Sequence, residues 1–341
     1  MRPYVRAANV GWDGLRLDDV KSMNFTDDEM LTYRLEEGDL LVSEASGSAR
    51  EVGKAAIWNG EIADCCFQNT LIRVRPRGVD PRFLLHFLRH QAETGVFAIL
   101  SRGVGIFHLG RQALAALAVP LPSTSEQRRI VVTLDKADEL RAKRRTATAL
   151  LDDLVDSIFL EMFGDPRGGA VFPAVTFGAV FADRSAGQPK TQTKDFLPAG
   201  DYPLIDQGHD LVGGFTNDQD ALCGVRKPVI VFGDHTRVLK FIDFEFGIGA
   251  DGVKVLTVSD GFDPVFAFHA LRLQGIPSAG YSRHYKFLKS TTVPNPPLDL
   301  QLLFRERAER LRSASLTMRR QSFAVDDLFA SLQQRAFRGE L

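Results

Sequence analysis

Apolar residues spaced alternately by three and four positions mark two stretches of the chain. Ile130, Leu134, Ala137, Ala147, Leu151, Leu154, Ile158 and Met162 form one stripe, and Phe304, Ala308, Leu311, Met318, Val325, Leu328 and Leu332 the other. A seam averaging 3.5 residues belongs to helices that wrap around one another. No glycine or proline interrupts Ser123 to Phe163 or Leu298 to Arg338, so each stretch predicts one unbroken helix. At 1.5 Å per residue such a helix reaches roughly 60 Å, longer than a domain of this size needs for its own core. Pro120 and Pro122 lead into Ser123, which has Glu126 three residues on in a capping-box arrangement; Gly164 and Pro166 close the first helix, and Gly339 the second. The polar break at Arg141, Arg144 and Arg145, matched by Met318, Arg319 and Arg320, reads as a solvated face.

The two helices are one sequence written twice. Val119, Pro120, Pro122, Gln127, Arg145, Asp152, Asp153, Leu154, Ser157 and Phe163 recur at a constant offset of 174 residues as Val293, Pro294, Pro296, Gln301, Arg319, Asp326, Asp327, Leu328, Ser331 and Phe337. What lies between also repeats, with more divergence. Asp39 to Ser43 and Pro228 to Phe232 are β-forming apolar runs, Leu71 to Val74 matches Val253 to Val258, and Asp80-Pro81-Arg82-Phe83 matches Asp263-Pro264-Val265-Phe266 ahead of a helix. The fold class expected is therefore α+β. Two mixed α/β domains, 1–122 and 166–297, are joined by helices at 123–165 and 298–341 that form an antiparallel coiled coil, with an internal pseudo-twofold repeat. Tyr4 pairs with Tyr202 in this alignment, and the second copy holds about 30 residues between Phe172 and Tyr202 that the first lacks. The chain thus begins inside a repeat, either below an upstream start or without that element.

Composition narrows the setting. With 44% apolar and 25% charged residues over 341 positions, the chain is ordinary globular material for two cores. No apolar run approaches a membrane span and the N-terminus lacks a signal-peptide core, so a cytoplasmic protein with no membrane partner is expected. Cys65, Cys66 and Cys223 give neither a disulfide framework nor zinc spacing. A net charge of −1 excludes a polycation that coats nucleic acid; any affinity for DNA must come from local placement of cations.

Several motifs are decoys. Asn295-Pro296-Pro297-Leu298 resembles the catalytic loop of amino-methylating DNA methyltransferases, but Leu298 cannot stack on a flipped base, and no glycine loop for the methyl donor is present. Gly103-Val104-Gly105 lacks dinucleotide-loop spacing. His235 between Asp234 and Arg237 is too small a set for a metal or a nuclease site. No catalytic or metal residues are therefore assigned. Better placed is Gly280 to Lys289, where Arg283, His284, Lys286 and Lys289 alternate with Tyr281, Tyr285 and Phe287; its counterpart holds Arg102, Phe107 and His108. Such cations neutralise phosphates or read guanine edges, while the aromatics anchor the loop. Arg237, Lys240, Arg226 and Lys227 in the second copy, and Arg50, Lys54 and Arg6 in the first, are weaker DNA-contact candidates.

The combination PLPSTSEQRRIVVTLDKADELRAKRR, LLDDLVDSIFLEMFGDP, a diverged globular segment and a second helix ending LQQRAFRGEL resembles the specificity subunit of type I restriction-modification systems. The resemblance implies two target-recognition domains, each reading half of a gapped sequence in double-stranded DNA. It also implies helices that hold the halves apart and dock two methyltransferase subunits, a motor-nuclease subunit that joins for restriction, and S-adenosylmethionine bound in the methyltransferase rather than in this chain. The alternatives are a self-contained DNA methyltransferase with fused recognition domains, which would need a methyl-donor motif, and a structural coiled-coil adaptor with no DNA role.

Overall fold

The computed structural model describes residues 1–49, 51–103, 105–276, 280 and 283–341. Its longest elements are helices Thr124–Phe163 and Leu298–Arg338. The chain divides into two compact units: Met1–Arg145 with Arg320–Leu341, and Thr146–Arg319. Each unit therefore contains part of both long helices.

In the first unit, Leu40–Ser43 runs between Ala55–Ile57 and Leu71–Val74 in an antiparallel sheet. A second sheet places Arg2–Val5 between Lys21–Met23 and Cys66–Phe67. Helix Pro81–Glu93 packs on the first sheet through its apolar face and starts where Asp80 caps it: the carboxylate accepts from the Arg82 and Phe83 amides at 2.9 and 3.3 Å. The helix buries Phe83, Leu84, Leu85, Phe87 and Leu88. Behind it, Ile130, Val131 and Leu134 of the first long helix meet Phe329 and Ala336 of the second. Arg129 reaches the Leu341 carbonyl while Arg141 pairs with Asp326 at 2.6 Å, so the two segments run antiparallel within this unit.

The second unit has a larger complement of strands. One four-stranded sheet orders Phe181–Asp183, Val253–Val258, Val229–Gly233 and Leu239–Ile242; another orders Lys190–Thr191, Gly247–Gly249, Tyr202–Ile205 and Gly214–Thr216. Ala174–Thr176 pairs with Thr292–Pro294. Asp263 caps helix Pro264–Gln274 as Asp80 caps its counterpart, accepting from the Val265 and Phe266 amides at 3.0 and 3.1 Å. The core is aromatic: Phe159, Phe163, Phe266 and Phe304 are each 0% exposed and their rings touch one another.

Three expectations change. Leu154 and Leu328, assigned to the helical seam, are 44% and 57% exposed; the buried line runs instead through Val155, Phe159 and Phe163 on one helix and Phe329 and Ala336 on the other. Phe159, Phe163 and Phe329, one position along from Ile158, Met162 and Leu328, claim the interior, and Val155 follows the same line. Arg141 is not solvated, because its guanidinium lies 4.2 Å from the Phe329 ring while it pairs with Asp138 and Asp326. Tyr4 corresponds to Leu204 rather than Tyr202, since Val5 and Ile205 are the fully buried residues at which the parallel pairings to Phe67 and Ile248 are made.

Candidate nucleic-acid interface

In each globular body one buried glutamine amide ties the start of the shorter helix to a long helix. Gln127 accepts from the Asp80 backbone N–H at 2.8 Å and donates to the Pro122 carbonyl at 2.9 Å. Gln301 does the same with Asp263 and Pro296, at 2.9 Å for both bonds. Both glutamines are buried, so each satisfies two backbone groups that water cannot reach.

In the second unit the turn after Val229–Gly233 is pinned from inside. Asp234 is 4% exposed; its N–H donates to the Gly252 carbonyl, its own carbonyl accepts from the His284 N–H at 2.8 Å, and its carboxylate accepts from the Tyr285 N–H at 2.7 Å. The turn and the Arg283–Lys289 segment are thereby one rigid feature. Arg283, Lys286 and Lys289 are exposed on it, as is Arg237, whose guanidinium donates to the Ile276 carbonyl at 3.0 Å. Tyr285 anchors the segment, with Lys289 lying 5.4 Å and Lys254 4.9 Å from its ring centre. Burial, reinforced by the Asp183 charge, pushes the Tyr285 phenol up to about 12. Lys254, which also pairs with Asp183 at 3.0 Å, joins this cationic group and was missed by sequence reasoning. The signal that could have found it is a lysine inside an otherwise apolar strand.

Two candidates turn inward instead. His284 is 1% exposed and its ring faces the Asp234 carbonyl. Lys240 is 5% exposed and bonds the Asp206 carbonyl at 2.8 Å; burial pushes its ammonium down, against the pull of Asp206. Both are spent on internal polar groups rather than exposed on the surface. Lys227 is held by the Cys223 carbonyl and Glu245, at 2.9 and 2.7 Å, away from the turn, while neighbouring Arg226 is exposed.

The first unit gathers fewer of its candidates. Arg102 and His108 pair through their backbones at 3.0 and 2.9 Å and expose both side chains. Arg6 pairs with Asp19 at 2.8 Å. Lys54 pairs with Glu51 beside the Trp12 ring, and burial pushes its ammonium down. Arg50 lies outside the described residues, as do Val104 and Tyr281. Among the described residues no group of three or more His, Cys, Asp or Glu could hold a metal, and no helix is long and apolar enough to cross a membrane. The buried Cys65 thiol is pushed up to about 12, far from a reactive thiolate.

Residues 12–148 match the family model described as the type I restriction modification DNA specificity domain. That stretch is similar to a type I specificity domain. It includes the Gln127 clamp and the Arg102–His108 loop. A stretch of 129 residues is 30% identical to a putative type I restriction enzyme MjaX specificity subunit of Methanocaldococcus jannaschii, covering 36% of this chain and 30% of that protein. The match therefore spans under a third of this curated relative. Two solved structures share the fold along nearly the whole chain. One, from work on complex assembly and conformational transition of the type I R-M system, has a TM-score of 0.56 at 18% identity and covers 100% of this chain and 92% of its own. The other, the type I restriction-modification S subunit from M. genitalium, has a TM-score of 0.52 at 16% identity, covering 99% and 92%. The matched stretch thus sits in a chain that shares its fold with a type I S subunit.

Proposed function

We propose that the chain is the non-catalytic DNA-reading subunit of a type I restriction-modification complex. Each globular body reads one half of a gapped duplex target, and the two long helices set the gap as an antiparallel coiled coil. What carries the reading is one clamp used twice in units that carry two different loop sets. Gln127 and Gln301 make the same two bonds, while the Arg283–Lys289 feature and the Arg102–His108 loop present different side chains. A common holder with dissimilar heads suits a non-palindromic site. A helix of about 60 Å matches some 15 to 20 base pairs of B-DNA, a span over which two heads can be registered.

In this reading the helices also dock two methyltransferase subunits, which bind S-adenosylmethionine, and a motor-nuclease subunit joins for cleavage. The near-neutral charge fits a reader that shares phosphate neutralisation with those partners. The test is methylation of a genomic target library with labelled S-adenosylmethionine, using this chain alone and with its methyltransferase. Adenine methylation at one gapped sequence is expected only with both proteins. Methyl transfer by the chain alone would overturn the reading in favour of a self-contained methyltransferase. Arg283→Ala is expected to relax recognition at one half-site, roughly tenfold or more; equal loss at both halves would sink its assignment.

A further inference from the structure

The offset of 174 residues carries back from the long helices to two short ones, Arg111–Ala115 and Tyr285–Leu288, whose buried Leu114 and Leu288 coincide. What they offer to solvent differs. Where the second unit has Arg283, Lys286 and Lys289, the first has Leu109, Gln112 and Ala115. The nearby strand repeats the exchange: Lys254 pairs in register with Phe232, while its counterpart, the buried Ile72, pairs with Val42. Four positions that are cationic in the second unit are therefore uncharged in the first, which adds one cation, Arg111, at the place of Tyr285.

The second unit also holds its cations ready. Among the described residues no carboxylate pairs with Arg283, Lys286 or Lys289. The Lys289 ammonium lies 5.4 Å from the Tyr285 ring centre, and that of Lys286 4.8 Å from the Phe287 ring centre. Tyr285 is itself fixed, by its N–H on the Asp234 carboxylate at 2.7 Å and by the Phe177 and Phe232 rings, 6.2 and 6.3 Å away. In the first unit several cations are spent instead: Arg6 and Lys21 pair with Asp19, and Lys54 with Glu51. Arg102 and Arg111 remain exposed at the matching place.

We propose that Lys286 and Lys289 seat phosphates of the DNA backbone, so that the sequence-independent hold on a duplex lies in the second unit. The proposal rests on the DNA-reading function above and divides its contacts. An ammonium is a point charge that takes a phosphate from any direction, whereas the flat Arg283 fork suits a guanine edge. Lysines already settled on rings lose less freedom when they bind. Each phosphate they neutralise releases condensed cations, which gives an affinity that ignores base sequence and fades with salt. Lys254, 4.9 Å from the same Tyr285 ring, adds to the field while paired with Asp183. The first unit then reads bases on a duplex that the second already holds.

The test is the affinity of the full chain with its methyltransferase for a labelled duplex of random sequence, between about 50 and 200 mM salt. Lys286→Gln and Lys289→Gln should each make the plot of log affinity against log salt shallower, by about 0.9 in slope. Both side chains are exposed, so the fold is not at stake. Arg102→Gln combined with Arg111→Gln should leave the slope as it is. In the methylation assay the lysine variants should modify the same sequence as the parent chain. An unchanged slope in the lysine variants, an equal fall in the first-unit pair, or an altered methylated sequence would overturn the proposal and leave the DNA-reading function standing. Failure of the parent complex to bind DNA at all would overturn both.

Discussion

Phe159 and Gln333 hold the same position in the repeat and are equally buried, at 0% and 1% exposed, yet they build opposite interiors. Phe159 stacks on Phe266 with ring centres 5.4 Å apart and meets Phe304 edge-on at 5.3 Å. Gln333 instead lies beside His90 and Glu93 and lines a polar cleft with Arg89 and Arg141. Burial pushes the His90 imidazole down and the Glu93 carboxyl up, so both lean toward their neutral forms next to the amide. One backbone frame therefore carries either an aromatic core or a buried polar side chain. What it requires of the position is volume, not hydrophobicity.

Exchanging the two residues tests that statement with the largest expected effect. Phe159→Gln should cost at least about 3 kcal/mol, because the aromatic core offers the amide no partner. Gln333→Phe should cost about 1 to 3 kcal/mol through overpacking. Urea unfolding of both variants would decide the matter; a neutral Phe159→Gln would mean that the interiors are interchangeable.

The hairpin turns offer a second contrast. Gly53 and Arg237 both close a turn with left-handed backbone, at φ 81° and 65°, donating N–H to the Ser43 and Gly233 carbonyls. A Cβ on Gly53 would lie 2.2 Å from Phe97, so Gly53→Ala should lose about 1 to 3 kcal/mol. Arg237→Gly should hold or raise stability, by up to about 1 kcal/mol, because glycine adopts this backbone without strain. A large loss in the second variant would show that the Ile276 contact outweighs the strain.

At the clamps the units should instead agree. Gln127→Ala and Gln301→Ala each strand a backbone N–H and a carbonyl, at about 1 to 3 kcal/mol apiece. Calorimetric melts that differed severalfold between the two would break the equivalence.

The smallest effect is a pH dependence in the second unit. Burial depresses the His269 imidazole, with Asp156 opposing and Arg272 adding to the depression. The unfolded chain accepts a proton that the folded one refuses, so stability should fall as pH drops through about 6.5, by on the order of 1 kcal/mol. His269→Gln should flatten that slope; an unchanged slope would place its origin elsewhere.

Much of the scaffold was legible because single residue types decide it. The absence of glycine and proline gave the Leu298–Arg338 helix to the residue, and the Asp-Pro pairs marked both shorter helices. Leu71–Val74 and Val253–Val258 were readable from β-forming composition alone. The seam was misjudged at Leu154 and Leu328 because a three-four spacing leaves two neighbouring stripes open, and only the aromatic mass of Phe159 and Phe329 chooses between them. The contact candidates were least legible. Nothing in the local sequence tells that His284 turns toward a carbonyl 50 residues earlier in the chain, or that Lys240 finds Asp206.

The paired glutamine latches hold main chain rather than side chain: an amide hydrogen at the start of one helix and a carbonyl oxygen in the proline turn before another. The latch itself reads no side chain; the selectivity of the joint lies in the phenylalanine beside it, Phe83 or Phe266. A foreign module that opens its docking helix with Asp-Pro and keeps that phenylalanine is the one these helices are built to take, which makes the joint a socket for protein engineering.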